Sequence, residues 1–373
     1  MKRPGGRPTL YLHVGTHKTG TSTVQSALHA NRQRLAEAGI LYPTDGVYCT
    51  PAGWAGPPPE GGHRYLAFSM MGTWPTWDPK DYTAPLVACR EALEGDLARW
   101  RGRRGRMDAI LSSEYWFRDV DPAGLRAFFD GLGYHIRVIV YLRRQDHFLE
   151  SLYDQRVRAG SMTDPFEHFV ERCLADPRAY PWYHHRLRRL AAVFGEANLI
   201  VRPFERGQLQ GGDVLDDLLA VIGYGPPVDW HRPLHHNRSL PTELTEAIRV
   251  LVARLPPDTP ARTRLRLSHH LRLGGWPPGT DPVRYARQTT VARRALVERF
   301  AADNAAVARE FLHRSDGRLF DAPVETSGPV WTGLTPEALA RAGLFAWSRC
   351  AADAAAAPTA GAPLGGSGEV EPC

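Results

Sequence analysis

The apolar run Thr9–Val14 (TLYLHV) passes without a spacer into Gly15-Thr16-His17-Lys18-Thr19-Gly20-Thr21-Ser22, and no other feature restricts the fold of this chain as much. A β-rich run that stops at a glycine, followed by Val24, Leu28 and Leu35 at helical spacing, predicts a strand, a glycine-containing turn and a helix over residues 23–38. In such a unit the turn's backbone N–H groups and the positive end of the helix face one point, which favours an anion there. Further apolar runs at 109–111, 136–142 and 199–201 read as buried strands of a parallel sheet, with helical stretches between them. From Pro241 the pattern becomes helical, at 241–254 and 290–313. The class is therefore α/β, with a central parallel sheet and a helical C-terminal part.

In the phosphate loop G-x-x-x-x-G-K-[ST], the backbone cradles phosphates, the lysine reaches the terminal ones and the hydroxyl binds magnesium. Gly15 and Gly20 keep the glycine spacing and Ser22 the hydroxyl, but Thr21 stands at the lysine position and the lysine comes three residues earlier, as Lys18. Of 46 basic residues only Lys2, Lys18 and Lys80 are lysines. Lys18 therefore stands out as a compact charge that a planar guanidinium does not replace. A magnesium-dependent phosphoryl transferase also needs a carboxylate at a neighbouring strand end. Here one strand end leads into Ser112-Ser113-Glu114 and another into Arg143-Arg144. One carboxylate and two cations suit a donor with an extra phosphate better than a metal-bound triphosphate.

These residues resemble the P-loop-fold sulfotransferases, especially bacterial members with a THKTGT-type first loop. The resemblance covers about residues 9–320 and implies a three-layer P-loop NTPase-like fold. It implies that Gly15, Thr16, His17, Lys18, Thr19, Gly20, Thr21 and Ser22 hold the 5′-phosphosulfate of 3′-phosphoadenosine 5′-phosphosulfate, with no metal. Arg143 and, eight residues on, Ser151 in YLRRQDHFLESLY match the family's 3′-phosphate element, and the resemblance implies that both donate to phosphate oxygens. The likeness continues more weakly through VRPFERGQL, HNRSLP and ERFAADNAAVAREF, with Asn237 and Arg238 as late donor contacts. The implied reaction transfers a sulfuryl group to a hydroxyl of a carbohydrate, glycolipid or specialised metabolite. Lys18 then offsets charge on the leaving group, and Glu114, at the end of the strand before the Arg143 element, is the general base, with His63 and His17 as alternates. Arg144 reads as a surface charge. The rival readings are a P-loop kinase using ATP and magnesium, and a non-catalytic nucleotide-binding domain.

Residues 1–8 read as a flexible N-terminus, 9–320 as the domain, 321–352 as a C-terminal extension and 353–373 as a disordered Ala/Gly/Pro tail. The Pro-, Gly- and Trp-rich insertion 44–80 reads as an acceptor lid. Within it Trp54, Tyr65, Trp74 and Trp77 either stack on the acceptor or cluster beneath the loop. The net charge of +6 is spread along the chain, which suits a small-molecule or glycan acceptor and an anionic donor but not nucleic acid. Five cysteines without a CxxC pair argue against a disulfide framework and a zinc site, and for a reducing, cytoplasmic setting. His231, His235 and His236 lack an accompanying ligand set for a metal. No stretch approaches the roughly 20 apolar residues of a membrane span, so no stable membrane insertion is expected. No feature of the sequence speaks for a particular oligomeric state.

Overall fold

The computed structural model describes residues 6–43, 62–71, 86–225 except 119, 230–232, 240–259 except 257, and 285–340 except 327 and 338. Asn237, Arg238, His235, His236, Trp54, Trp74, Trp77 and the Ala/Gly/Pro tail lie outside these residues.

Among the described residues five strands, β1 (Thr9–His13), β2 (Ile40–Leu41), β3 (Asp108–Ser112), β4 (His135–Leu142) and β5 (Leu199–Pro203), form one parallel sheet in the order β2-β3-β1-β4-β5. β1 is central. The chain builds β2 and β3 on one side of it, then crosses to β4 and β5 on the other. The carboxyl end of β1 therefore opens where ligands of open parallel sheets bind.

Side chains alternate between the two faces of each strand. Leu10, Leu12, Ala109, Leu111, Val138, Val140 and Leu142 enter the larger core, with Leu93 and Leu97 of α4 (Leu86–Arg104), Phe148 and Leu149 of α7 (Gln145–Arg158) and Leu187 and Leu190 of α9 (Tyr183–Phe194). Tyr11, Ile110, Ile139 and Tyr141 turn the other way, onto Val24 and Leu28 of α1 (Thr21–Ala30) and Leu215 and Leu218 of α10 (Val214–Val221). Both faces are covered, as a sheet of parallel strands requires. The three-layer α/β architecture with a parallel sheet is the one expected. Among the described residues the remaining helices are α2 (Arg32–Glu37), α3 (Arg64–Met71), α5 (Tyr115–Arg118), α6 (Pro122–Phe129), α8 (Phe166–Ala175), α11 (Thr242–Ala253), α12 (Thr290–Glu298) and α13 (Ala301–Leu312).

Two expected helices are each broken in two by a long-range contact. The helix over 23–38 divides at Asn31, whose amide donates to the carbonyls of Ala27 and His231 at 2.8 Å each and whose Oδ1 accepts from the His231 N–H at 3.0 Å. The helix over 290–313 divides at Phe300, which is wholly buried against Trp182, ring centroids 4.6 Å apart. β2 is two residues long and was not expected.

Cys89 is disulfide-bonded and Cys173 is a free thiol. The bond at Cys89 goes against the expectation of no disulfide framework. No helix among the described residues is long and apolar enough to cross a membrane.

Candidate functional site

The loop between β1 and α1 is held from several sides. Val14 N–H donates to the Ile139 carbonyl at 3.0 Å, the Thr16 hydroxyl to the Tyr141 carbonyl at 2.9 Å, and His17 N–H to the Tyr180 hydroxyl at 2.6 Å. The Thr19 hydroxyl turns back on the Thr16 carbonyl at 2.7 Å. Thr16 and Thr19 thus spend their hydroxyls on building the loop. Gly15, Lys18 and Gly20 have φ of 37°, 71° and 75°. Gly20 is fixed as glycine twice over, since a Cβ there would also stand 2.9 Å from Cγ1 of Val214. Lys18 has no such freedom. A non-glycine residue in the left-handed region costs about 1–2 kcal/mol, so its surroundings must impose it. Thr21 and Ser22 open α1, the first buried and the second exposed.

Arg143, at the end of β4, supplies part of that constraint by donating from Nη1 to the Lys18 carbonyl at 2.7 Å. Its guanidinium lies 5.9 Å from the Phe204 ring centroid, and its own carbonyl accepts from the Tyr183 hydroxyl at 2.6 Å. Burial lowers its pKa. Ser151 follows two turns into α7, half-buried.

The charge around the loop is predominantly positive. Burial, then Arg158 and Arg143, lower the Lys18 ammonium to a pKa of about 8, against the carboxylates of Asp154 and Glu114. His17 is buried between the rings of Tyr115 and Tyr180, edge-on at 5.3 and 5.6 Å. Its pKa falls well below the ordinary histidine value because of burial, then Arg118, Lys18 and Arg156. Arg143 at the end of β4, Arg118 of α5 and Arg156 and Arg158 of α7 thus add positive charge around the loop that carries Lys18, a setting that favours an anion. The buried Oγ1 of Thr21, Oγ of Ser113, Nε2 of His13 and Nε2 of His17 have no hydrogen-bond partner among the described residues.

Glu114 leaves β3 one strand away from Lys18, half-buried, and accepts from Nε2 of Gln25 on α1 at 3.2 Å. The structure thus brings Lys18, Glu114 and Arg143 to the same carboxyl edge of the sheet, while Ser151 lies two turns into the helix that follows Arg143. Of the two alternate bases, His17 keeps an unpartnered Nε2 among the described residues, whereas both ring nitrogens of His63 are engaged. His63 is wholly buried: its Nδ1 accepts from the Ser112 N–H at 3.0 Å, so Nε2 carries the proton and donates to the Pro43 carbonyl at 3.2 Å. Burial holds its pKa at about 4. Nδ1 thus braces the backbone at the end of β3, and Nε2 the backbone that follows β2. Tyr65 is a core residue, packed edge-on against Phe68 at 6.2 Å.

Arg144 is a correction. It is not a surface charge but a buried residue whose Nε and Nη2 grip the two oxygens of Asp146 at 2.9 and 3.0 Å, while Nη1 donates to the Ala322 carbonyl at 2.7 Å. Arg293 adds a second cation to Asp146 at 3.0 Å. Neighbouring arginines at one strand end thus diverge, Arg143 to the loop and Arg144 to the interior. Sequence reasoning also passed over Gln25, His13, Ser112, Asp154 and Arg158. For His13 and Ser112 the signal was their place as last residues of neighbouring strands, and for Asp154 and Arg158 their position on the helix that carries Ser151. Among the described residues no three His, Cys, Asp or Glu side chains form a group that could hold a metal ion.

No protein-family model matches the chain. Over 104 residues it is 33% identical to an uncharacterized protein of Archaeoglobus fulgidus, a stretch of 28% of this chain and 27% of that protein's length. Among solved structures it is similar to a sulfotransferase from Alicyclobacillus acidocaldarius, with 18% identity over 72% of this chain and 97% of that one at a TM-score of 0.35. It is likewise similar to the sulfotransferase domain from the curacin biosynthetic pathway, with 11% identity over 81% of this chain and 98% of that one, also at a TM-score of 0.35.

Proposed function

We propose that this chain is a sulfotransferase that moves a sulfuryl group from 3′-phosphoadenosine 5′-phosphosulfate to a hydroxyl of a carbohydrate, glycolipid or specialised metabolite. The observation that carries the reading is the placement of Lys18 and Glu114 beyond the ends of adjacent strands, with Arg143 bonded to the backbone of Lys18. A donor with anionic groups at both ends fits a cradle with cations on two sides. The loop amides, Lys18, Thr21 and Ser22 take the 5′-phosphosulfate, and Arg143 and Ser151, with Asn237 and Arg238, take the 3′-phosphate. The unpartnered hydroxyls of Thr21 and Ser113 fit a polar ligand at this edge.

The chemistry follows from the charges. Glu114 accepts the acceptor's hydroxyl proton as its oxygen bonds to sulfur. The bond from sulfur to the 5′-phosphate oxygen breaks, and Lys18 beside that oxygen offsets the charge it gains. The products are the sulfated acceptor and adenosine 3′,5′-bisphosphate. Arg143 stands at a strand end where metal-dependent phosphoryl transfer uses a carboxylate, so this transfer is proposed to need no metal.

Thermal denaturation with adenosine 3′,5′-bisphosphate plus chelator, with ATP–magnesium, and with neither separates the readings. Stabilisation by the bisphosphate in chelator supports this one. Stabilisation by ATP–magnesium alone would turn the assignment to a kinase, and none by either nucleotide would remove a nucleotide site altogether.

A further inference from the structure

Gln25 is buried on the face of α1 that also carries Val24 and Leu28. Its single amide nitrogen faces three oxygens: the Ser112 carbonyl at 3.3 Å, Ser112 Oγ at 3.2 Å and Glu114 Oε2 at 3.2 Å. Carbonyl and carboxylate oxygens only accept, so the amide is oriented with nitrogen toward them.

The anchor for this amide is rigid. Strand register pairs His13 with Ser112, and period-two alternation turns both to the α1 side of the sheet. There Ser112 Oγ lies 2.8 Å from Nδ1 of His13. The Ser112 backbone is held by His63 on both sides, its N–H donating to the ring and its carbonyl accepting the His63 N–H at 2.8 Å. Gly62 closes the other flank: a Cβ there would fall 2.4–2.7 Å from the Gln25 amide atoms. The absence of a side chain at residue 62 is what lets the amide reach Glu114.

We propose that Gln25 is the positioning residue for the base: it holds Oε2 of Glu114 against the fixed end of β3 and leaves the other carboxylate oxygen for the acceptor's proton. This inference rests on the sulfotransferase reading. It assigns two residues, Gln25 and Gly62, to turnover rather than to donor binding.

The test measures single-turnover release of adenosine 3′,5′-bisphosphate at saturating donor, with a mixture of octyl glucoside, glucosamine and 2-naphthol as acceptors. Gln25→Met and Gly62→Ala are each compared in wild-type and Glu114→Gln backgrounds. Each should lower turnover about tenfold in the wild-type background, with donor affinity within about twofold, and by less than about twofold once Glu114 is Gln. Gly62→Ala displaces only the far end of one side chain and so keeps the test valid should Gln25→Met fold poorly. Losses of equal size in both backgrounds, or a parallel fall in donor affinity, would overturn the positioning role. A wild-type protein that releases no bisphosphate sinks the sulfotransferase reading itself, and the inference with it.

Discussion

Nη1 of Arg143 donates to the carbonyl oxygen of Lys18 at 2.7 Å, so one guanidinium joins the end of β4 to the loop after β1. The carbonyl belongs to the residue whose φ is 71°, and the bond helps hold Lys18 in a conformation it would not adopt alone. In the proposed function, recognition of one end of the donor would thereby be coupled to the shape of the loop proposed to take the other.

Arg143→Ala should therefore act on both ends, and Ser151→Ala on one. Loss of a charged hydrogen bond is worth about 1.5–3 kcal/mol, so the arginine variant should bind adenosine 3′,5′-bisphosphate about tenfold or more weakly. It should also bind adenosine 5′-monophosphate more weakly, but by less, because the loop loses a tether. Ser151→Ala should weaken only the bisphosphate. Calorimetry with the two nucleotides reads this directly; equal losses for both nucleotides in both variants would remove the 3′-phosphate assignment.

Donor binding should depend on pH through Lys18. With a pKa of about 8 the ammonium is charged below that pH and neutral above it, so affinity for an anion is full near pH 6 and falls as pH rises through about 8. A bound anion favours the charged form and moves the fall upward. Dissociation constants for adenosine 3′,5′-bisphosphate at pH 6.5 and pH 9.5 should differ in wild type and agree in Lys18→Met. The same pH dependence in both proteins would rule Lys18 out as its source.

Asp146 should matter for stability rather than for binding. Burial works to raise its pKa, but the hydrogen bonds and charges of Arg144, His147 and Arg293 outweigh it and hold the group at about 2. The folded pKa lies below the unfolded value of about 3.9, so the carboxylate stabilises the fold above about pH 4 and the contribution is lost as pH falls through about 2. Asp146→Asn leaves two buried arginines poorly compensated and should cost about 3–5 kcal/mol at pH 7. Urea unfolding at pH 7 and pH 3 should show the difference from wild type narrowing in acid; a variant as stable as wild type at pH 7 would contradict this account of the cluster.

The places of Lys18, Glu114 and Arg143 at the carboxyl edge of the sheet were legible because each ends or follows an apolar run. β1, β3, β4 and β5 were legible for the same reason, as apolar runs bounded by turn residues. What escaped reading depends on partners far away in sequence. Asn31 breaks a helix because it clamps His231, 200 residues on. Arg144 resembled a surface charge until Asp146 and Arg293 met it in the interior. Gln25 looks like an ordinary helical glutamine unless the register of His13 against Ser112 is known. His63, in a Gly- and Pro-rich stretch beside the expected site, looked like a base, whereas its two nitrogens support backbone.

In the proposed reaction Glu114 takes the acceptor's proton while Lys18 and the loop hold the leaving nucleotide. Its most direct test is single-turnover sulfuryl transfer from saturating 3′-phosphoadenosine 5′-phosphosulfate by wild type and Glu114→Gln, with donor affinity measured in parallel. The account predicts that Glu114→Gln binds donor as wild type does and transfers about 10²–10⁴-fold more slowly; a Glu114→Gln protein that transfers at a near-normal rate would contradict it.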